Sequence, residues 1–303
     1  MKEITDYGKV FETLVQKTQD YIVGNNLSAM VLGISGGIDS TVVAAICHEV
    51  SERTNIPLIG RSLPSKHNKE EETTSADLVG KAFCDDYKVC PIQEIYEDFI
   101  LHIRNCEMPL GIWSGSDHQT PIANGNIQAR LRMIYLYNLA SIYGGLVMDT
   151  DNLTENNLGY FTIHGDVGDF NPIGGLWKTE VFELAEWLLS YYSFQLPHNM
   201  YEATAEQLEK AGKVFQQGKA IKESLKLKPT AGLGITNNDL KEIGAESYDQ
   251  VDRILQCLTD SSVSTDTIDD IPDAIVEAVV KRHNASKFKR KQLPIKITRD
   301  EIV

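Results

Sequence analysis

The chain has 303 residues, 42% of them hydrophobic and 24% charged, and a formal net charge of −14. That length and balance suit one substantial folded domain with appended elements and exclude pervasive disorder. The acidic surplus repels polyanions at long range and so disfavours nucleic acid as a partner, while leaving room for a local phosphate site.

Cys47, Cys84, Cys90, Cys106 and Cys257 are odd in number and form no Cys-x-x-Cys pair, as expected of reduced thiols rather than a disulfide or zinc framework. No signal-peptide core and no membrane-length apolar stretch occurs, so a cytoplasmic protein without a membrane partner is expected. No repeat or linker divides the chain. A single domain over residues 1–303 is the expectation, with a polar helical insertion near 200–226 and a C-terminal helical extension over 272–303.

In chain order, Val10, Phe11, Leu14, Val15, Tyr21 and Ile22 fall near helical spacing and predict a leading amphipathic helix over 10–25. Residues 29–34 form a short apolar run that stops at Ser35-Gly36-Gly37, and a helix is predicted over 41–50. The alternation continues with a strand over 56–63, a helix over 69–83, a strand over 87–91 and a helix over 95–104. A long helix over 126–143 leads through Gly144-Gly145 into the apolar run Leu146-Val147-Met148, a further strand. Its C-terminal end delivers Asp149, Thr150 and Asp151 to the sheet edge where ligands of open α/β folds bind. A glycine-rich loop over 159–175, a helix over 179–189, a polar helix over 205–225 and two last helices over 247–258 and 272–285 complete the chain. The Ser/Thr/Asp-rich connection 260–270 is expected to be mobile. Alternation of this kind predicts an α/β fold, a doubly wound and mostly parallel sheet with helices on both faces.

The sharpest signal is Gly33-Ile34-Ser35-Gly36-Gly37-Ile38-Asp39-Ser40-Thr41 between a strand and a helix. Adjacent glycines let the backbone approach a ligand, and the turn amides with the helix N-terminus make an anion site. Ser35, Ser40 and Thr41 add hydroxyl donors, and Asp39 can hold a magnesium ion against phosphates. The spacing fits neither a Walker loop nor a Gly-x-Gly-x-x-Gly dinucleotide turn. A Gly-Gly turn with a Ser/Asp cap can also exist without any ligand. Further on, Asn126 and Arg130 stand four apart on one predicted helix and share a face, so that an amide and a guanidinium can converge on one polar ligand, while Arg132 points elsewhere. Arginines on helices are also commonly solvated or ion-paired.

The loop resembles the Ser-Gly-Gly-x-Asp-Ser pyrophosphate loop of the ATP pyrophosphatases that release AMP, proteins of a Rossmann-like, adenine-nucleotide alpha-hydrolase-like fold. Several further segments, in order, are similar to the NAD synthetases of that group. They are residues 124–133, 149–155, 159–172, Lys178-Thr179, Lys228-Pro229-Thr230-Ala231, residues 248–252 and residues 288–294. The likeness covers most of the chain and is weakest over 195–226 and 258–272. It implies that Asp39 and Glu155 hold Mg²⁺ and that residues 33–40, Thr150, Lys178 and Thr230 contact ATP or pyrophosphate, with Asp39 and Lys178 central to the chemistry. It assigns deamido-NAD to Asn126, Arg130, Asp169 and Lys289.

The implied reaction is amidation of deamido-NAD by ammonia through an acyl-adenylate, with ATP as co-substrate, in a homodimer without a glutaminase domain. Three residues depart from the family pattern: Asp149 where glycine is usual, Ile163 where lysine is usual and Gly232 where an acid is usual. The loop containing Val167 is also one residue short. These departures bear on the dinucleotide, not on ATP. Another AMP-forming pyrophosphatase, or a non-catalytic nucleotide-binding regulator on the same fold, stays open at this point.

Overall fold

In a computed structural model of the chain, residues 4–107, 119–196, 204–228, 239–292 and 295–302 are described. Strands β1 (Met30–Gly33), β2 (Leu58–Ser62), β3 (Asp86–Val89) and β4 (Leu146–Val147) form one parallel sheet in the order β3-β2-β1-β4. Two short strands, β5 (Phe170–Asn171) and β6 (Ile295–Lys296), pair in parallel, and a bridge from Met148 to Phe170 joins them to the β4 side. The order has its reversal at β1 and β4, which opens a crevice at the C-terminal ends of the strands.

Strand alternation explains why helices cover both faces. Met30 and Leu32 point into one core with α1 (Tyr7–Gly24), α2 (Ile38–Thr54), α3 (Glu70–Phe83), α7 (Lys178–Phe194) and α8 (Ala205–Lys226). Val31 points the other way, into a smaller core with Ile92 at the foot of α4 (Gln93–Glu107) and with Met133, Leu136 and Ala140 of α5 (Gln119–Tyr143). A third cluster gathers Leu158 of α6 (Leu153–Leu158), Ile243 of α9 (Asp239–Ile243), Leu255 of α10 (Tyr248–Thr259) and Val279 of α11 (Asp273–Ala285) around Trp177.

The predicted doubly wound parallel sheet is therefore what forms, and differences lie in detail. Helix α5 begins seven residues before the predicted 126. The short elements α6, α9, β5, β6 and α12 (Arg299–Ile302) carry too few residues for a period to register, so the sequence pattern misses them. Helix α8, read from sequence as a polar insertion, puts Val214, Ala220 and Ile221 into the main core. The 272–303 segment is not purely helical, since β6 follows α11 and a 3₁₀ turn at Lys289–Gln292. The 260–270 connection contains a 3₁₀ turn at Thr265–Ile268, capped by Ser264. No helix among the described residues is long and apolar enough to cross a membrane.

Candidate active site

The chain leaving β1 turns sharply at Gly36, whose φ is +83°. A Cβ there would stand 2.5 Å from the carbonyl oxygen of Glu72 and 2.6 Å from the amide of Ala76, so only glycine fits. Gly37 then caps α2, whose first turn carries Asp39 and faces the crevice. Three buried hydroxyls brace the turn from behind. Ser75 of α3 donates to the carbonyl of Gly36 (2.8 Å) and Thr41 donates to that of Gly37 (2.9 Å). Ser224 of α8 meets Thr41 at 2.7 Å and Ser75 at 3.3 Å.

Opposite the loop, Asn152 caps α6 in a reciprocal capping box with Glu155, a pattern legible in Asn-x-x-Glu. The same Asn152 donates its amide to Asp39 at 2.9 Å. Lys178, at the first turn of α7 and 1% exposed, sends its ammonium to Asp39 (2.5 Å) and Glu155 (3.0 Å). Burial alone would push the Lys178 pKa down, but the two carboxylates together hold it well above the ordinary lysine value. Asp252 of α10 fixes the start of α7 by accepting from Thr154 and from the amide and hydroxyl of Thr179. Its burial raises the Asp252 carboxyl to about 6, against the downward pull of those threonine bonds.

Ile34, Ser35, Gly37, Ile38, Asp39, Ser40, Gly33, Thr150, Asn126, Glu155, Lys178 and Lys289 all border one cavity of about 570 Å³. Thr230 and Gly232 lie outside the described residues. Arg130 departs from expectation. It borders a neighbouring, smaller and mainly apolar cavity of about 520 Å³ with Tyr137, Ile163, His164 and Val167, and donates to the carbonyl of Ile163 at 3.3 Å. Asn126 instead accepts from Thr162 at 2.8 Å in the larger cavity, so the two residues do not converge on one point. A four-residue step turns the helix about 40° beyond a full turn, and the two residues border different cavities, which have Met133 and Phe161 in common. Asp169 is engaged by the backbone, accepting from the amide of Val147 at 2.9 Å. The ammonium of Lys289 donates to the carbonyls of Gly159 (2.7 Å) and Phe161 (2.5 Å).

Sequence reasoning missed several lining groups. Arg132 points away from the Arg130 side as expected, but into the larger cavity, donating to the carbonyl of Leu63 and to Asn68. Burial lowers its guanidinium to about 10, opposed by Asp166 and Glu72. Asp151 and Asp166 border the same space, both with carboxyls raised by burial, and Oδ2 of Asp151 has no hydrogen-bond partner. Asp151 lies at the sheet edge where the sequence places it, whereas no local pattern marks Asp166.

Two oxygen-bearing side chains that face a phosphate-sized crevice, 17% and 18% exposed, suit a hard divalent cation that keeps waters and phosphates as its remaining ligands. Among the described residues no cluster of three or more His, Cys, Asp or Glu offers an all-protein metal cage. A parallel α/β sheet, a glycine turn at its crevice and a buried lysine held by two carboxylates suit an enzyme that binds the phosphates of a nucleotide.

The NAD synthase family profile matches residues 10–293. The chain is 32% identical over 296 residues to the NH(3)-dependent NAD(+) synthetase of Pyrococcus horikoshii, with 96% of this chain and 95% of that protein covered. It is 27% identical over 248 residues to the glutamine-dependent NAD(+) synthetase of Thermotoga maritima, of which it spans 40%. The solved structure of NMN synthetase from Francisella tularensis superposes with a TM-score of 0.70 at 26% identity, covering 95% of this chain and 97% of that one. The chain belongs to the NAD synthase family.

Proposed function

We propose that this chain amidates deamido-NAD with free ammonia at the expense of ATP, releasing AMP and pyrophosphate. The observation that carries this reading is Lys178, buried between Asp39 and Glu155 at the open face of the glycine turn. The nearly full-length match to an NH(3)-dependent relative supports ammonia as the nitrogen source.

A carboxylate resists ammonia because its charge repels the nucleophile and oxide is a poor leaving group. The substrate carboxylate oxygen therefore forms a bond to the α-phosphorus of ATP while the bond from that phosphorus to the bridging oxygen breaks. Ammonia then adds to the acyl carbon, the bond to AMP breaks, and the nitrogen sheds its extra protons to solvent. In this reading the turn amides over 35–40 cradle phosphate oxygens, and Lys178 with the hydroxyls of Ser35 and Ser40 stabilises the charge that builds on departing pyrophosphate. Asp39 and Glu155 would hold Mg²⁺, which would supply charge neutralisation at the phosphates. Thr150 and Thr230 complete the ATP side. Asn126 and Lys289 in the larger cavity, Arg130 in the smaller one and Asp169, which accepts from the amide of Val147, are assigned to the acid, whose carboxylate meets the α-phosphate where the two cavities adjoin at Met133 and Phe161. No enzyme nucleophile takes part.

A second reading concerns the size of the acid. Ile163 removes a cation from the smaller cavity, and the solved structure named above is an NMN synthetase, so the mononucleotide form of the acid is a competing substrate. Assays with Mg-ATP, ammonium and either acid, each component omitted in turn, separate the two by kcat/KM. Asp39→Ala should abolish turnover, and near-normal activity would sink the assignment of the site.

A homodimer is proposed from the outer face of α5, where Ile134 and Ile142 are 66% and 68% exposed beside Tyr137. A monomeric, fully active species in light scattering would overturn it. A single-domain, cytoplasmic enzyme is the accompanying proposal.

A further inference from the structure

The reaction described above leaves the buried carboxyl of Asp149 unused. Asp149, at the end of β4, is 1% exposed. Its Oδ1 accepts from the amide of Asp151 (2.7 Å) and from the side-chain amide of Asn171 (3.0 Å), while its Oδ2 accepts from the amide of Gly168 (2.9 Å). The two oxygens therefore serve two different walls. Asp151 belongs to the segment that borders the larger, nucleotide-sized cavity, and Gly168 belongs to the loop that borders the smaller one with Ile163, His164 and Val167.

Both walls have further ties, and the difference lies at the Val167–Gly168 corner. The segment over 150–155 is also pinned by the Asn152–Glu155 capping box, by the bond from Asn152 to Asp39 and by Asn171, which donates to the carbonyl of Asp151 at 2.7 Å. At the loop, Gly168 lies flat on β4, where a Cβ would come within 2.8 Å of the amide of Asp149 and the carbonyl of Val147. Past this corner the loop is tied to β4 by the amide of Asp169 donating to Val147 (2.7 Å) and that of Asp149 donating to Phe170 (2.8 Å), whereas at the corner the Gly168 amide donates to Asp149 and the carbonyl of Val167 accepts from Tyr137 at 3.3 Å.

We propose that Asp149 is a positioning residue that locks the Val167–Gly168 corner onto the end of β4, and so sets the shape of the acid-binding cavity that this corner borders, while the ATP site is left to its other ties. The proposal rests on the assignment of the smaller cavity to the acid. It depends on both oxygens being acceptors. An asparagine of the same size has one acceptor oxygen, so in either orientation its NH₂ faces a backbone N–H, at Gly168 or at Asp151.

Asp149→Asn tests this. Hydrogen exchange of the substrate-free protein should show a peptide over 163–171 exchanging at least tenfold faster than in the parent, with the α6 peptide over 153–158 unchanged. With the same proteins, KM for deamido-NAD should rise about tenfold, as expected for one lost charged hydrogen bond, with KM for ATP within twofold. Unchanged protection over 163–171, or a loss of kcat with equal rises in both KM values, overturns the proposal. If Asp149→Asn does not accumulate as folded protein, Gly168→Ala, whose Cβ would come within 2.8 Å of β4 and lift the same corner, should give the same split. Equal effects on both KM values there would also overturn it. Parent protein inactive on both acids would refute the assigned reaction, while the exchange measurement would still decide the lock.

Discussion

Replacing Lys178 by Met removes an ammonium that is 2.5 Å from Asp39 and 3.0 Å from Glu155 and leaves two carboxylates facing each other. Breaking a buried ion pair costs about 3–5 kcal/mol, and the lower end applies because both partners keep some contact with water. A loss of about 3 kcal/mol in a chain of this size lowers the melting temperature by roughly 5–10 °C. Magnesium should partly reverse this. With the competing ammonium gone, the carboxylates bind a divalent cation more tightly, and a concentration ten times the Kd restores about 1.4 kcal/mol. Thermal melts of both proteins with and without MgCl₂ measure the two effects together, and amidation should fall by about 10²–10³-fold. The carboxylates hold the ammonium above its ordinary pKa despite burial, so its contribution is lost only as pH rises beyond about 10. The gap between the proteins should therefore be constant from pH 6 to 9. Equal melting temperatures, or equal magnesium stabilisation of both, would refute the site as drawn.

Ile163→Lys places a cation at the rim of the smaller cavity and should raise kcat/KM for the dinucleotide relative to the mononucleotide about tenfold, read by competition between the two acids. Ser224→Ala takes one hydroxyl from the brace behind the glycine turn and should raise KM for ATP about threefold to tenfold, an effect of about 1 kcal/mol, with KM for the acid unmoved. Asp252 has a carboxyl raised by burial to about 6, so its contribution to stability is full below the ordinary aspartate range and is lost as pH rises through 6. Between pH 5 and 7 the parent should lose about 1 kcal/mol more than Asp252→Asn, measured by urea unfolding. A parallel decline of the two would exclude Asp252 as the titrating group.

The strand-turn-helix unit at residues 30–54 was legible because consecutive residues carry its whole signal: an apolar strand, two glycines and an acid-bearing first turn. Lys178 and Glu155 could be singled out by likeness, but their meeting with Asp39 spans 139 and 23 residues of sequence separation from the lysine and no local pattern encodes it. The same holds for Ser224, whose helix reads as a polar insertion because six buried positions in 22 residues give it a weak apolar stripe. Its buried hydroxyl matters through Thr41 and Ser75, residues of α2 and α3. Arg130 and Asn126 show the limit of face-sharing arguments: spacing placed them near each other, yet they border different cavities, to both of which a loop contributes Phe161.

The acid side was harder to read for a further physical reason. Its polar groups also serve the fold: Asp169 is bonded to the amide of Val147, Lys289 to the carbonyls of Gly159 and Phe161, and Asp149 to both cavity walls. A change at any of these alters packing and binding together, so residue type alone does not report the ligand. Ile163 is different, because the bond at that position is made by its backbone carbonyl, which accepts from Arg130, and its apolar side chain is free to vary without breaking a hydrogen bond. Substitution there can change which acid is preferred at little cost to the fold. In the proposed reaction that makes position 163, rather than the charged residues around it, the place where acid selectivity can shift while the proposed ATP half stays fixed.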